Sequence, residues 1–163
     1  MAYADGYAIT EYWAPTTTID GKWTTAEEWA VGEPHYIGTV QKGMFIMQAD
    51  SGGGYSPMYV VEFADHTLDT GDIIQVCMNL VDSSAPTSGT DWKIEIQGLT
   101  TKKCYTGTGS GWVESPQNTA VVNMAATVTT SAHDPAQHVI AEFWIDKATL
   151  FGGGAPPLGL RIA

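Results

Sequence analysis

The stretch Ile73-Ile74-Gln75-Val76-Cys77-Met78-Asn79-Leu80 alternates in the character of its side chains. From Ile74 onward every even-numbered position is apolar, and the positions between them hold Gln, Cys and Asn. Successive side chains of an extended chain point to opposite faces, so this pattern predicts a β-strand with one buried face. Segments 91–97 and 139–145 alternate in the same way.

Turn-forming residues separate these segments. Loops rich in Gly, Ser, Thr, Pro or Asp occupy 83–90, 106–119 and 131–137. Short alternating segments divided by such loops are typical of antiparallel sheets that pack face to face. Helix signals are confined to single turns at 24–28, where Thr residues precede two Glu, and at 146–150. We predict an all-β fold, a two-sheet antiparallel β-sandwich of the jelly-roll or immunoglobulin-like kind, with one or two short helical turns.

The length and the charge of the chain limit its organisation and its partners. Its 163 residues fit a single domain spanning 1–163, and the strand-like end at 158–163 leads us to expect that the natural protein continues. The formal net charge of −11 repels nucleic-acid phosphates and anionic membrane surfaces. No run of about eighteen apolar residues is present, which excludes direct membrane insertion. The low charged fraction of 15% favours an extracellular or cell-surface β-protein, although the N-terminus lacks the features of a signal peptide.

Three phrases of the sequence together cover most of the chain. The first runs from Ile19-Asp20-Gly21 to Glu28-Trp29, the second joins 69–76 to 91–96, and the third joins 138–147 to 159–163. In this order they resemble the phrases of family-9 carbohydrate-binding modules and of the related DOMON-like sandwiches. The chain departs from them with Asp146 in place of the usual Pro and with a shorter last strand. The resemblance implies an extracellular β-sandwich that binds sugars between Trp rings, binds haem b, or serves as an interaction unit.

Two tryptophans and one polar face are the candidate ligand-binding features. Trp144 shares a strand face with Glu142, and Trp112 lies in a Gly-Ser loop that favours an exposed ring. Aromatic rings stack on the C–H faces of sugars, and amides and acids bond their hydroxyls. The polar positions on the predicted strands are the other members of this candidate site, namely Gln75, Asn79, Lys93, Glu95 and Gln97. The alternative is that the rings pack in the core and the polar face simply meets water.

No nucleophile elbow, phosphate loop or zinc-protease motif is present, and nothing in the sequence brings Glu95 and Glu142 together as an acid and a nucleophile. We therefore predict a non-catalytic extracellular module that binds a glycan or cell-surface polymer. One alternative is a self-associating subunit of a surface layer or filament, joined by strand pairing. Another is a haem-b-binding electron-transfer domain with Met ligands, although methionines in a sandwich are most often packing residues.

The sequence suggests a calcium site and a disulfide, and it leaves an alternative for each. Asp65, Asp69 and Asp72 concentrate carboxylates in one loop, which suits Ca²⁺, but acidic turns of this kind also form without a metal. Cys77 and Cys104 would form a disulfide if the chain after Gly98 folded back over the polar face of the 73–80 strand. The alternative for the cysteines is two thiols that act as small apolar residues.

Overall fold

The computed structural model describes residues 13–14, 17–30, 35–37, 43–50, 57–79, 85–98, 100–116, 122–146 and 161–162. Within these residues the chain forms strands, and no helix there is longer than a single turn. The strands are β1 (Trp13–Ala14), β2 (His35–Ile37), β3 (Gly43–Asp50), β4 (Pro57–Phe63), β5 (Ile73–Asn79), β6 (Trp92–Gln97), β7 (Thr101–Gly107), β8 (Trp112–Glu114), β9 (Val122–Thr129), β10 (His138–Ile145) and β11 (Arg161–Ile162).

The strands form two sheets. Sheet A has the order β1-β3-β4-β10-β9, with β2 also paired to β3, and sheet B has the order β11-β5-β6-β7-β8. Every described pairing is antiparallel except that of β1 with β3. The predicted two-sheet β-sandwich is confirmed, and the parallel pair at one edge is the departure from the predicted pattern.

The core lies between the sheets and is built from alternate positions of the strands. Sheet B contributes the even-numbered residues of β5 and β6, as the alternation predicted, and also Cys104 of β7. Sheet A contributes residues of β4, β9 and β10, among them the fully buried Tyr59 and Phe143. Complete burial of such a side chain contributes about 1.5–3 kcal/mol to folding, so this layer is the main source of stability.

A second, smaller apolar cluster covers the outer face of sheet A. Residues 17–30, which we call the N-terminal strap, cross this face and bury Trp29 completely against Met58, Val60 and Ile140. The strap contains the predicted turn, in which the Glu28 carboxylate accepts hydrogen bonds from the N–H and hydroxyl of Thr24 at 2.8 and 3.0 Å. The second predicted turn, at 146–150, lies outside the described residues except for Asp146. Because the strap covers its outer face and the core covers its inner face, β10 is buried on both faces.

Candidate functional site

The outer face of sheet B carries a connected set of polar side chains centred on Glu95. One carboxylate oxygen, Oε2, accepts hydrogen bonds from Gln75 Nε2 at 2.8 Å and from Lys93 Nζ at 3.3 Å. The other, Oε1, accepts one from the Tyr105 hydroxyl at 3.2 Å. Lys93 Nζ also lies 4.0 Å from the centre of the Tyr105 ring. Strand register produces the cluster, because Gln75 pairs with Glu95 and Lys93 pairs with Tyr105.

The environment of Glu95 favours its charged form. Burial acts to raise the pKa of this carboxyl, but the hydrogen bonds from Gln75, Lys93 and Tyr105 and the charge of Lys93 outweigh it, and the pKa is lowered. Glu95 is therefore ionised at neutral pH. Only 7% of its side chain is exposed, so the carboxylate lies beneath its three donors and holds them in place on this face.

Trp112 lies on the same face as this cluster. It pairs with Gly107, two residues beyond Tyr105 on β7, and positions two apart on a strand share a face. The loop at 85–91 borders this end of the sheet, since Gly109 N–H donates to the Pro86 carbonyl at 2.7 Å. A side chain at position 107 would collide with the Thr87 carbonyl, which explains the glycine. The predicted ring begins β8 and is half-buried, and it shares one face of sheet B with the predicted polar residues.

Two other predicted positions lie near the ends of this face. Asn79 ends β5, where it pairs with Arg161, and its side chain lies outside the described residues. Gln97 ends β6, and its Nε2 donates to the Thr70 carbonyl at 3.3 Å. Tyr105 was missed by the sequence analysis because 101–107 has no clear apolar alternation, and only the register of β7 on β6 places its ring over Lys93.

Glu142 and Trp144 lie on the opposite side of the sandwich, on the outer face of sheet A. The fully buried Glu142 carboxylate accepts hydrogen bonds from Asp20 N–H at 2.9 Å, Gly21 N–H at 2.8 Å and Trp29 Nε1 at 3.0 Å. Burial raises the pKa of this carboxyl to about 7, against the effect of those donors. Trp144 is half-buried and packs against the strap cluster.

The expectation of one polar face that includes both Glu95 and Glu142 is therefore wrong. Alternation along a strand tells which residues share a face of that strand, but it does not tell which sheet the strand joins. Because β6 belongs to sheet B and β10 to sheet A, Glu95 and Glu142 face away from each other across the sandwich. They do not form an acid and nucleophile pair.

A cluster of titratable side chains that the sequence did not indicate also lies on sheet A. Glu62 Oε2 is 3.2 Å from His133 Nδ1, and Glu62 Oε1 is 3.4 Å from His138 Nε2. The His133 ring stacks on Trp23 at a centroid distance of 6.3 Å. Within the described ranges no three His, Cys, Asp or Glu side chains are placed so that they could hold a metal ion.

The three aspartates considered for calcium lie in or beside the loop between β4 and β5. Asp65 Oδ1 accepts hydrogen bonds from the Thr67 N–H at 3.0 Å and hydroxyl at 3.2 Å. Asp72 Oδ2 accepts one from the Asp69 N–H at 2.6 Å. These contacts are those of a turn capped by its own carboxylates. A calcium ion in this loop stays a prediction.

The predicted disulfide is corrected by the structure, in which Cys77 and Cys104 are free thiols. Cys104 is fully buried in the core between the sheets, whereas Cys77 lies on the outer face of β5, opposite Lys93. The chain after Gly98 pairs beside β6 as β7 and does not fold back over β5. The two side chains therefore point to opposite faces of sheet B.

The methionines considered as haem ligands pack against other apolar residues where their side chains are described. Met78 and Met124 are fully buried between the sheets, and Met58 is buried beneath the strap. Met44 and Met47 lie in β3, whose side chains are outside the described set. An open cleft of about 480 Å³ lies at one end of the sandwich, with Phe63, Leu68, Ile74 and Val139 among its lining residues. Haem binding stays a prediction.

Comparisons with known proteins do not assign this chain to a family. No protein-family model and no curated protein matches the chain. A solved structure of a "putative carbohydrate-binding protein" from Bacteroides uniformis is similar over 91% of this chain and 79% of its own length. It has 10% sequence identity and a TM-score of 0.45, which supports neither a shared family nor a shared ligand. No helix in the described residues is long and apolar enough to cross a membrane.

Proposed function

We propose that this protein is a non-catalytic binding module that holds a carbohydrate on the outer face of sheet B. The observation that carries the proposal is the set of polar side chains, Gln75, Lys93 and Tyr105, that the buried Glu95 carboxylate holds on the same face as Trp112. An array of fixed donors and acceptors next to aromatic rings suits a ligand with many hydroxyls and flat C–H faces.

The charges on this face favour a neutral sugar. Lys93 is paired with Glu95, and Lys103 Nζ lies 3.5 Å from Glu114 Oε2, so each of these two lysines has an anion beside it. The chain as a whole carries a net charge of −11, which repels uronic acids and sulfated glycans. The low charged fraction supports a location outside the cell. A disulfide would have been a second argument for that location, but Cys77 and Cys104 are free thiols.

A titration of soluble neutral and acidic oligosaccharides, followed by calorimetry, tests the proposal. We expect a neutral glycan to bind. We expect E95A to weaken its binding at least about tenfold, since hydrogen bonds to a charged group contribute about 1.5–3 kcal/mol each and this carboxylate positions three donors. We expect W112A to weaken its binding as well, through loss of the ring on which a sugar would stack. The control is Y36A, which removes a half-exposed ring from sheet A and leaves the Glu95 cluster intact.

Two results would contradict the proposal. One is the absence of binding to any neutral glycan across an array of polysaccharides and oligosaccharides. The other is glycan binding that survives both E95A and W112A unchanged, since the site would then lie elsewhere on the molecule. Thermal unfolding of each variant shows whether a loss of binding reflects a loss of folding.

A further inference from the structure

The strand β9 forms an edge of sheet A. Among the described residues it pairs only with β10, so one side of its backbone has no strand beside it there. It is eight residues long, Val122–Thr129, and it contains no charged residue and no proline. The unpaired N–H and C=O groups of a long uncharged edge strand are a template for another strand.

The other described edges are shorter or charged. At one edge of sheet B, β8 has three residues and ends at Glu114, which is ion-paired with Lys103. At the other edge, β11 has two residues and includes Arg161. At the far edge of sheet A, β1 and β2 have two and three residues. Short length and charge are the common means by which proteins prevent edge pairing, and β9 has neither.

We propose that β9 pairs in antiparallel fashion with β9 of a second copy of this chain, which joins the two copies of sheet A into one continuous sheet. A two-fold axis at Ala126 would bring Ala126 opposite its own copy, Met124 opposite Val128 of the partner subunit, and Asn123 opposite Thr129 of the partner subunit. Even-numbered residues then lie opposite even-numbered residues, so the inward-facing side chains of the two copies continue the core layer. The odd-numbered, outward-facing residues lie opposite one another, and most of them are polar.

Among the possible approaches of a second copy, charge opposes the approach by this strand least. Two chains that each carry a net charge of −11 repel each other over most approaches, and an uncharged strand with small residues at its centre minimises that repulsion. Added salt screens the remaining repulsion between the copies. The dimer is therefore strengthened by salt, in contrast to an interface held by ion pairs. This association does not depend on the proposed sugar site, which lies on the other sheet.

Sedimentation velocity over a range of concentrations tests the association. We expect the mass to rise with concentration toward twice 17.4 kDa, and the dissociation constant to fall on addition of NaCl. The double variant N123K/T129K places lysines opposite each other at both ends of the paired strands, and we expect it to raise the dissociation constant at least about tenfold. The matched control I73K/V113K also adds two lysines, at half-exposed residues of sheet B, and should leave the dimer unchanged.

The register has its own test. A mixture of N123K with T129E should form a heterodimer more tightly than either variant pairs with itself, because one introduced lysine then faces one introduced glutamate. Hydrogen exchange of the unmodified chain gives a readout that needs no variant, since amides of 122–129 should be protected more at high concentration. A monomer at every concentration, or a dimer that N123K/T129K leaves intact while folded, would overturn the proposal.

Discussion

At the scale of single residues, the most informative group is the buried Glu142 carboxylate. Its three hydrogen-bond donors are Asp20, Gly21 and Trp29, which are the residues of the Ile-Asp-Gly and Glu-Trp phrase at the start of the chain. The phrase therefore has a structural meaning in this protein, since it supplies the donors that fix the strap on sheet A. Glu142 was a candidate sugar ligand from the sequence, but in the structure its acceptors are directed at the strap.

The stability of the protein should depend on pH through Glu142. Its pKa is raised from 4.5 to about 7, so the folded protein holds the proton more tightly than the unfolded chain. The resulting stabilisation is complete below pH 4.5 and is lost as the pH rises through 7. We expect the free energy of unfolding of the natural chain, relative to E142Q, to fall by on the order of 3 kcal/mol over this range. Urea titrations at several pH values measure it, and a difference independent of pH would contradict it.

Gly21 should tolerate no side chain. Its φ is +79°, and an added Cβ would lie 2.9 Å from the carbonyl carbon of Ala126 on β9. We expect G21A to lower the free energy of unfolding by about 2–5 kcal/mol, from backbone strain and overpacking together. The control is G89A, where φ is +74° and nothing lies within 4 Å, so that only about 1–2 kcal/mol should be lost. Equal losses in the two variants would show that the contact with Ala126 is unimportant.

At the scale of elements, β10 connects the two apolar layers of the molecule. Its odd-numbered residues face sheet B, and Ile140, Glu142 and Trp144 face the strap. The strap is held to β10 by burial of the Trp29 ring and by the hydrogen bond from its Nε1 to Glu142. This explains how a polar, turn-rich segment covers a sheet face that would otherwise expose Met58, Val60 and Ile140.

Loss of the Trp29 hydrogen bond should loosen the strap. We expect W29F to destabilise it by about 1.5–3 kcal/mol and to speed tryptic cleavage after Lys22, which lies within the strap. The matched control is W23F, because Trp23 packs against the same cluster and its buried Nε1 has no hydrogen-bond partner among the residues that the structure describes. Cleavage after the exposed Lys102 serves as an internal reference. Equal cleavage rates at Lys22 in the two variants would mean that this bond does not hold the strap.

At the scale of the whole molecule, the two outer faces of the sandwich differ. The face of sheet A is covered by the strap, while the face of sheet B presents the Glu95 cluster and Trp112. The layered arrangement also separates the cysteines, with Cys104 in the core and Cys77 on the outer face of sheet B.

This arrangement predicts distinct behaviour for the two thiols. Burial raises the pKa of Cys104 to about 11, and burial also raises that of Cys77, which is only partly covered. We expect iodoacetamide to modify Cys77 slowly in the native protein and Cys104 only after denaturation. Mass spectrometry should find no change in mass on reduction of the unmodified protein. A gain of two hydrogens on reduction would instead indicate a bridge.

The sequence by itself determined the strands β5, β6 and β10 and their inward faces, but not β7 or β8, whose residues do not alternate clearly. Alternation in 73–80, 91–97 and 139–145 is a local property of the chain, and the side chains that face the core between the sheets follow it in all three strands. The candidate residues Gln75, Lys93 and Glu95 could be grouped because the two strands that carry them are neighbours in both sequence and space. Only the tertiary structure decided that Glu142 belongs to the other sheet, that Tyr105 completes the cluster, and that Glu62 meets two histidines. Those contacts join segments that are far apart in the chain. Strand order and register determine them, and neither can be recognised from a local sequence pattern.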